Sequence, residues 1–388
     1  MKHSRKAIKR LFQLDPDVVF LNHGSFGACP RIVTRAYQDW QRRFERQPVL
    51  FMRELSGFFA QARQALGEYL CAPPDDLAFV INATHGVNMV THSLRLQPGD
   101  QILTTNHEYG ACINAWNFAC ERTGAELVRR AIDLPVKDPE EVVAGFWEGV
   151  TPRTRVIYLS HVTSPTALTL PVAEICRRAR QAGILTVVDG AHAPGQIPLN
   201  LPELGADFYV GNCHKWMMSP KGAGFLYVRP EHQETIRPLI VGHSYYPDRT
   251  GPGFPAHVEA IGTRDPAAAL TMPTVVDFMR KYHWDEVRQD CKTLLTTALE
   301  QITEITGLPP LYPLNSGFYS QMAVAPIAPA FTPEEVQAHL LAPGRIEMPV
   351  FRWENYHVMR ISVQGYTTEE DIAALVAGVK NLYQRGAG

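Results

Sequence analysis

Between residues 77 and 228 the chain repeats one pattern, and that pattern narrows the folds open to it. Short runs of aliphatic, β-branched and aromatic residues, at 77–81, 101–105, 127–131, 156–160, 184–188, 208–210 and 225–228, alternate with longer amphipathic stretches. Between the fourth and fifth runs, Val172, Ile175, Cys176, Ala179 and Ala182 recur at helical spacing, with Arg177, Arg178 and Arg180 on other faces. This spacing predicts a crossover helix, and the whole series reads as βαβ units. Strands that are apolar on both faces need helices over both, so an α/β fold with a mostly parallel sheet is expected. Ligands of such sheets bind beyond the carboxyl ends of the strands.

After about residue 246 the texture changes. A Pro/Gly-rich stretch, 247–255, gives way to longer helical patterns and two or three strand-like runs, read as a smaller α+β domain. Two helices announce themselves with Thr-x-x-Glu capping boxes, Thr332 to Glu335 and Thr367 to Glu370. The expected division is an arm at 1–20, a large domain at 21–255 and a small domain at 256–388, with the N-terminal segment able to pack on the latter. The total of 388 residues suits two to three domains. A net charge of −2 offers no cationic excess for nucleic acid or an anionic membrane. No apolar run approaches the ~18–20 residues of a bilayer span, and the basic start is not followed by a secretory apolar core. A cytoplasmic protein is expected. The seven cysteines are scattered without a Cys-x-x-Cys pair, which reads as reduced thiols rather than disulfides or a zinc site.

Three segments stand where strand ends meet polar residues. Asp189 follows Ile184-Leu-Thr-Val-Val188, and a carboxylate there is either a cap or turn former, or the partner of a ligand cation. Lys215 lies among Cys213, Trp216, Met217 and Met218. It is either a side chain reaching for solvent, or a desolvated amine that attacks a carbonyl. Thr84, in Asn82-Ala-Thr84-His85-Gly86, opens a helical pattern and either caps it or, with the free N–H groups there, holds a phosphate. There is no P-loop and no dinucleotide glycine motif. Gly242-His-Ser244 lacks the second glycine of a hydrolase elbow, and no histidine spacing suggests a metal.

A phosphate cradle, a strand-end acid and a lysine downstream are the requirements of pyridoxal phosphate chemistry. The sequence resembles the class V aminotransferase family of fold-type I pyridoxal phosphate enzymes, and within it the isopenicillin N epimerase-like proteins. The matching segments are Leu21-Asn-His-Gly-Ser-Phe-Gly27, His107-Glu-Tyr-Gly110, His161-Val-Thr-Ser-Pro165, Asp189-Gly-Ala-His192 and Gly262-Thr-Arg-Asp265. The resemblance implies a fold-type I transferase in which Lys215 carries the Schiff base, Asp189 pairs the pyridinium nitrogen, His192 bonds the ring hydroxyl and Tyr109 stacks on the ring. Thr84, His85, Asn212 and His214 are implied on the cofactor side. Arg360 is implied to clamp the substrate carboxylate, with Asn22, His23 and Ser164 beside it. Thr263 would reach the phosphate of a neighbouring subunit, making a homodimer with shared sites. Two departures stand out: Asn212 and Cys213 replace small residues before His214, and no cysteine lies between Leu341 and Asn355, where a desulfurase needs its nucleophile.

The implied activity is epimerisation at the α-carbon of an amino acid or amino-acid-derived substrate. A C–S or β-lyase and a transaminase are the alternatives. Tyr109, His107 and His23 are the candidate second proton donors, with a bound water as a fourth. A cofactor-binding module without turnover would need neither Lys215 nor Arg360.

Overall fold

The computed structural model describes residues 4–242 and 253–386. Most of the Pro/Gly-rich stretch lies outside them, as do His243 and Ser244.

A short strand, β1 (Val19–Phe20), precedes the main sheet. The seven apolar runs then become β2 (Leu77–Val80), β3 (Gln101–Thr105), β4 (Glu126–Arg130), β5 (Thr154–Ser160), β6 (Leu185–Gly190), β7 (Phe208–Asn212) and β8 (Gly224–Val228). They form one sheet in the order β2-β8-β7-β6-β5-β3-β4, parallel except for β8. Alternation explains the two-sided burial. Val156 and Tyr158 join the layer of the Ala83–Ser93 and Gly110–Thr123 helices, while Ile157 and Leu159 face the layer of the Pro139–Trp147 and Val172–Gln181 helices. The crossover helix stands where its apolar spacing put it.

Beyond the main sheet, β9 (Met322–Ile327), β10 (Ile346–Glu347), β11 (Val350–Trp353) and β12 (Tyr356–Ser362) complete the strands of the described residues. β11-β12-β9 is an antiparallel layer covered by the Trp284–Thr306, Pro333–Gly344 and Glu369–Gly386 helices, the α+β unit expected. The N-terminal segment does pack there: β1 pairs with β10, Arg5 donates to the Thr367 and Asp290 carbonyls, and Lys9 pairs with Asp371.

Met272–Lys281 packs on Pro48–Leu70, and Trp284–Thr306 packs on β9 and on Glu369–Gly386. The Thr332 capping box forms as read. In the last helix, however, the reciprocal pair is Thr368 with Asp371, one residue along, because Thr367 Oγ1 is occupied by the Gln364 N–H.

Candidate active site

The carboxyl ends of β5, β6 and β7 open into a cavity of about 250 Å³ whose wall includes Ser25, Thr84, Tyr109, Ser160, Ser164, Asp189, His192, Asn212, His214 and Lys215. Segments distant in sequence meet here by close backbone approach. Gly195, at φ +88, lies so near Trp216 that a Cβ would sit 2.3 Å from its carbonyl oxygen, and Gly27, at φ +70, would strike His214 O at 2.0 Å. Only glycine satisfies both constraints.

Lys215 Nζ is 3.0 Å from His192 Nε2, and Trp216 Nε1 is 3.3 Å from His192 Nδ1. The indole can only donate, so Nδ1 carries the lone pair and the imidazole proton is on Nε2. That proton points at Lys215, whose amine accepts it once it has lost its own extra proton. Burial lowers the Lys215 pKa from 10.5 to about 8 despite the opposing pull of Asp189, so that loss comes far more easily than for a solvated lysine, and burial drives His192 well below its ordinary value. An amine so held is a nucleophile and a base.

Asp189 is buried at the floor. Its Oδ1 accepts the Ala191 N–H at 2.8 Å, and its Oδ2 accepts Tyr158 Oη at 3.2 Å and Cys112 Sγ at 3.4 Å. Among the described residues no cation pairs with it. The turn-forming bond and the open acceptor therefore coexist.

At the start of the Ala83–Ser93 helix the cap is Asn82, which takes the His85 N–H at 2.9 Å, and not Thr84. Asn212 Oδ1 accepts the Ala83 N–H at 2.8 Å. The Thr84 N–H and hydroxyl are left without a partner among the described residues at the cavity wall, a ready anion site. Asn212 thus braces the cradle as well as lining it. The His85 ring turns back to the Ile81 N–H and does not line the cavity. His214 donates from Nδ1 to the Ala223 carbonyl at 3.3 Å, and burial lowers its pKa to about 4. Its Nε2 is accordingly an acceptor until an anion brings a proton to it.

Arg360 lies behind Ser164 and Ser25. Nη1 donates to Ser164 O at 2.6 Å, Nη2 donates to Ser25 Oγ at 2.9 Å, and Nε is buried without a partner. Among the described residues it faces no carboxylate, and burial lowers its pKa to about 10. A buried guanidinium with an idle Nε–H beside Nη2 is the two-point grip for an incoming carboxylate. Asn22 acts behind it: Asn22 Oδ1 accepts the Ser25 hydroxyl at 2.5 Å and its amide donates to Glu347.

Two histidines offered as proton donors are removed from that role. His23 is fully buried; Nε2 donates to the Lys215 carbonyl at 3.0 Å and Nδ1 contacts Tyr366 Oη at 2.9 Å. His107 spends Nε2 on the Ile132 carbonyl and Nδ1 on Thr166 Oγ1, each at 2.7 Å. Neither lines the cavity, whereas Tyr109 does and is 48% exposed. Thr263 is exposed on a different cavity of about 510 Å³ with Met52, Leu55 and Phe59. Ser25 and Ser160 line the site without having been singled out, although both lie inside segments the sequence marks: 21–27 and the end of the run 156–160.

The profile of the family described as aminotransferase class-V matches residues 29–375. Isopenicillin N epimerase of Streptomyces clavuligerus is 36% identical over 95% of this chain and 96% of its own length. A probable chloroplastic L-cysteine desulfhydrase of Arabidopsis thaliana is 30% identical over 69% of the chain and 59% of its own. Among solved structures, a C-DES mutant with glycine covalently linked to its PLP cofactor superposes with a TM-score of 0.84 at 21% identity, covering 96% and 99% of the two chains. The residues present fit that cofactor: an anion cradle at Thr84, a cation acceptor at Asp189 and a desolvated amine at Lys215.

Proposed function

The chain belongs to the aminotransferase class-V family and is a pyridoxal-phosphate-dependent enzyme, and on that premise we propose that it epimerises the α-carbon of an amino acid or amino-acid-derived substrate. The observation that carries the proposal is the pairing of a desolvated amine, Lys215 Nζ, with a phenol, Tyr109, on the wall of one cavity. Thr84, Asn212 and His214 would hold the phosphate, Asp189 would keep the ring nitrogen protonated, and His192 Nε2–H would serve the ring oxygen. The bound cofactor supplies an electron sink for the pair left at the α-carbon. Arg360 orients the substrate carboxylate through Nε and Nη2, while Ser25 and Ser164 keep its plane fixed. Lys215 Nζ takes the α-proton, and Tyr109 Oη, the member of the three candidate side chains that reaches the cavity, is placed to return one.

A persulfide-forming desulfurase is disfavoured because no cysteine lines the cavity among the described residues and none lies at 341–355. Scoring an amino-acid panel in heavy water for enantiomer, α-deuterium, ammonia and keto acid decides between the remaining reactions. The expected product is the opposite enantiomer carrying α-deuterium, without ammonia or keto acid. Pyruvate from cysteine or cystine, with no enantiomer from any substrate, would select the C–S lyase.

We further read the protein as a cytoplasmic homodimer with shared sites. Free thiols support the compartment. Thr263, exposed on a cavity it shares with the apolar Met52, Leu55 and Phe59, supports the dimer. Mixing Lys215→Ala subunits with an impaired Thr263→Val variant should restore activity, since a heterodimer then gathers both lesions in one site. Verified heterodimers that stay inactive would place Thr263 outside any shared site.

A further inference from the structure

Glu108 is a buried carboxyl for which the chemistry above has no use. It sits between β3 and β5, 2.7 Å from Thr105 Oγ1 through Oε1 and 2.6 Å from Ser160 Oγ through Oε2. No cation pairs with it among the described residues. The titratable groups bearing on it are Asp189 from β6, Cys112 from the Gly110–Thr123 helix and Tyr158 from β5. None of them brings a positive charge.

The two hydroxyls are not equivalent. Thr105 Oγ1 already accepts the His107 N–H at 3.1 Å, and its own hydrogen has no acceptor other than Glu108 among the described residues. Thr105 therefore donates to Oε1 in every charge state, and any proton on Glu108 resides on Oε2, against Ser160. Ser160 Oγ has no second partner among the described residues and lines the cavity.

We propose that Glu108 is a positioning residue that sets the direction of the Ser160 hydroxyl, turning one point of the cavity wall from donor to acceptor. With Glu108 neutral, Oε2–H donates to Ser160 Oγ and the serine hydrogen is free to turn into the cavity. With Glu108 ionised, the serine hydrogen is held on Oε2 and only lone pairs face the ligand. One proton moves on or off Oε2, and no other bond changes. Burial and the neighbouring Asp189 charge raise the Glu108 pKa from 4.5 to about 7, so both states are populated near neutral pH. The inference is independent of which reaction the enzyme performs.

The test is equilibrium binding of pyridoxal phosphate to the apoprotein across pH, in wild type and Glu108→Gln. The glutamine amide, with its oxygen toward Thr105, donates permanently to Ser160 and locks the donor state. Taking the ratio of the two affinities at each pH cancels titration of the cofactor and of Lys215. The ratio should be near one below about pH 6 and favour the variant by about three- to tenfold above about pH 8, the worth of one hydrogen bond. In a Ser160→Ala background it should stay at one throughout. If that variant does not fold, Ser160→Cys, a weak donor, should shrink the ratio instead. Infrared difference spectra of apo wild type against Glu108→Gln should show a protonated carboxyl band that fades as pH rises through neutrality. A ratio that does not change with pH, a ratio that survives loss of the Ser160 hydroxyl, or the absence of that band would each overturn the proposal.

Discussion

Asp207 and Asp189 are both buried, at opposite ends of the adjacent parallel strands β7 and β6. Asp207, just before β7, is saturated: Oδ2 accepts the Thr186 N–H at 2.8 Å and the Thr186 hydroxyl at 2.9 Å, and Oδ1 meets the Arg229 guanidinium at 2.8 Å. Asp189, near the end of β6, has neutral donors alone among the described residues, at longer range on Oδ2. One acid closes the fold and the other is left open at the ligand end. Completeness of partnering, more than burial, separates a structural carboxylate from a functional one.

The largest effect that tests this contrast is on turnover. Asp189→Asn should lower kcat by several orders of magnitude, because an amide cannot keep the ring nitrogen protonated by an ion pair. Apoprotein stability should hardly change, and near-normal kcat with any good substrate would erase the distinction. Arg229→Met should do the reverse, costing about 2–4 kcal/mol in denaturant unfolding by stranding a buried carboxylate, with kcat per folded molecule unchanged. A loss of activity ahead of unfolding would show that the closed end also serves the site.

Lys215 offers a pH test of the open end. Its pKa is about 8 in the folded apoprotein against 10.5 ordinarily. Between those values the unfolded chain binds the extra proton, so folding stability rises with pH across that window. The cost of the buried ammonium is full below about 8 and gone above 10.5. Relative to Lys215→Met, wild type should gain up to about 3 kcal/mol over that range, measured by unfolding at fixed salt. A flat difference would mean the amine is not desolvated. The smallest effect is expected at Arg360→Lys, which keeps charge but not the planar grip. A loss of about 1–3 kcal/mol in kcat/KM is expected, with cofactor content unchanged.

What could be read without coordinates was what local chemistry encodes. The period of apolar runs located the strands of the main sheet within a few residues, because side-chain alternation and burial are written residue by residue. Asp189 and Lys215 were readable for the same reason: a charge at the end of an apolar strand has few explanations. The capping register at 367–371 was not, since Thr367 and Thr368 each stand three residues before an acid and the choice fell to a contact with Gln364.

The roles of the histidines were decided by tertiary structure alone. His23 and His107 stand in conspicuous motifs, yet their ring nitrogens are spent on Lys215, Tyr366, Ile132 and Thr166, far away in sequence for His23 and brought in from neighbouring elements for His107. The tautomer of His192 depends on where the Trp216 indole points. Sequence by itself determined which polar residues stand at or just beyond strand ends, because that follows from composition and period. Only the packed structure decided which of them face the cavity and which proton each holds, because a hydrogen bond reports the partner found after folding.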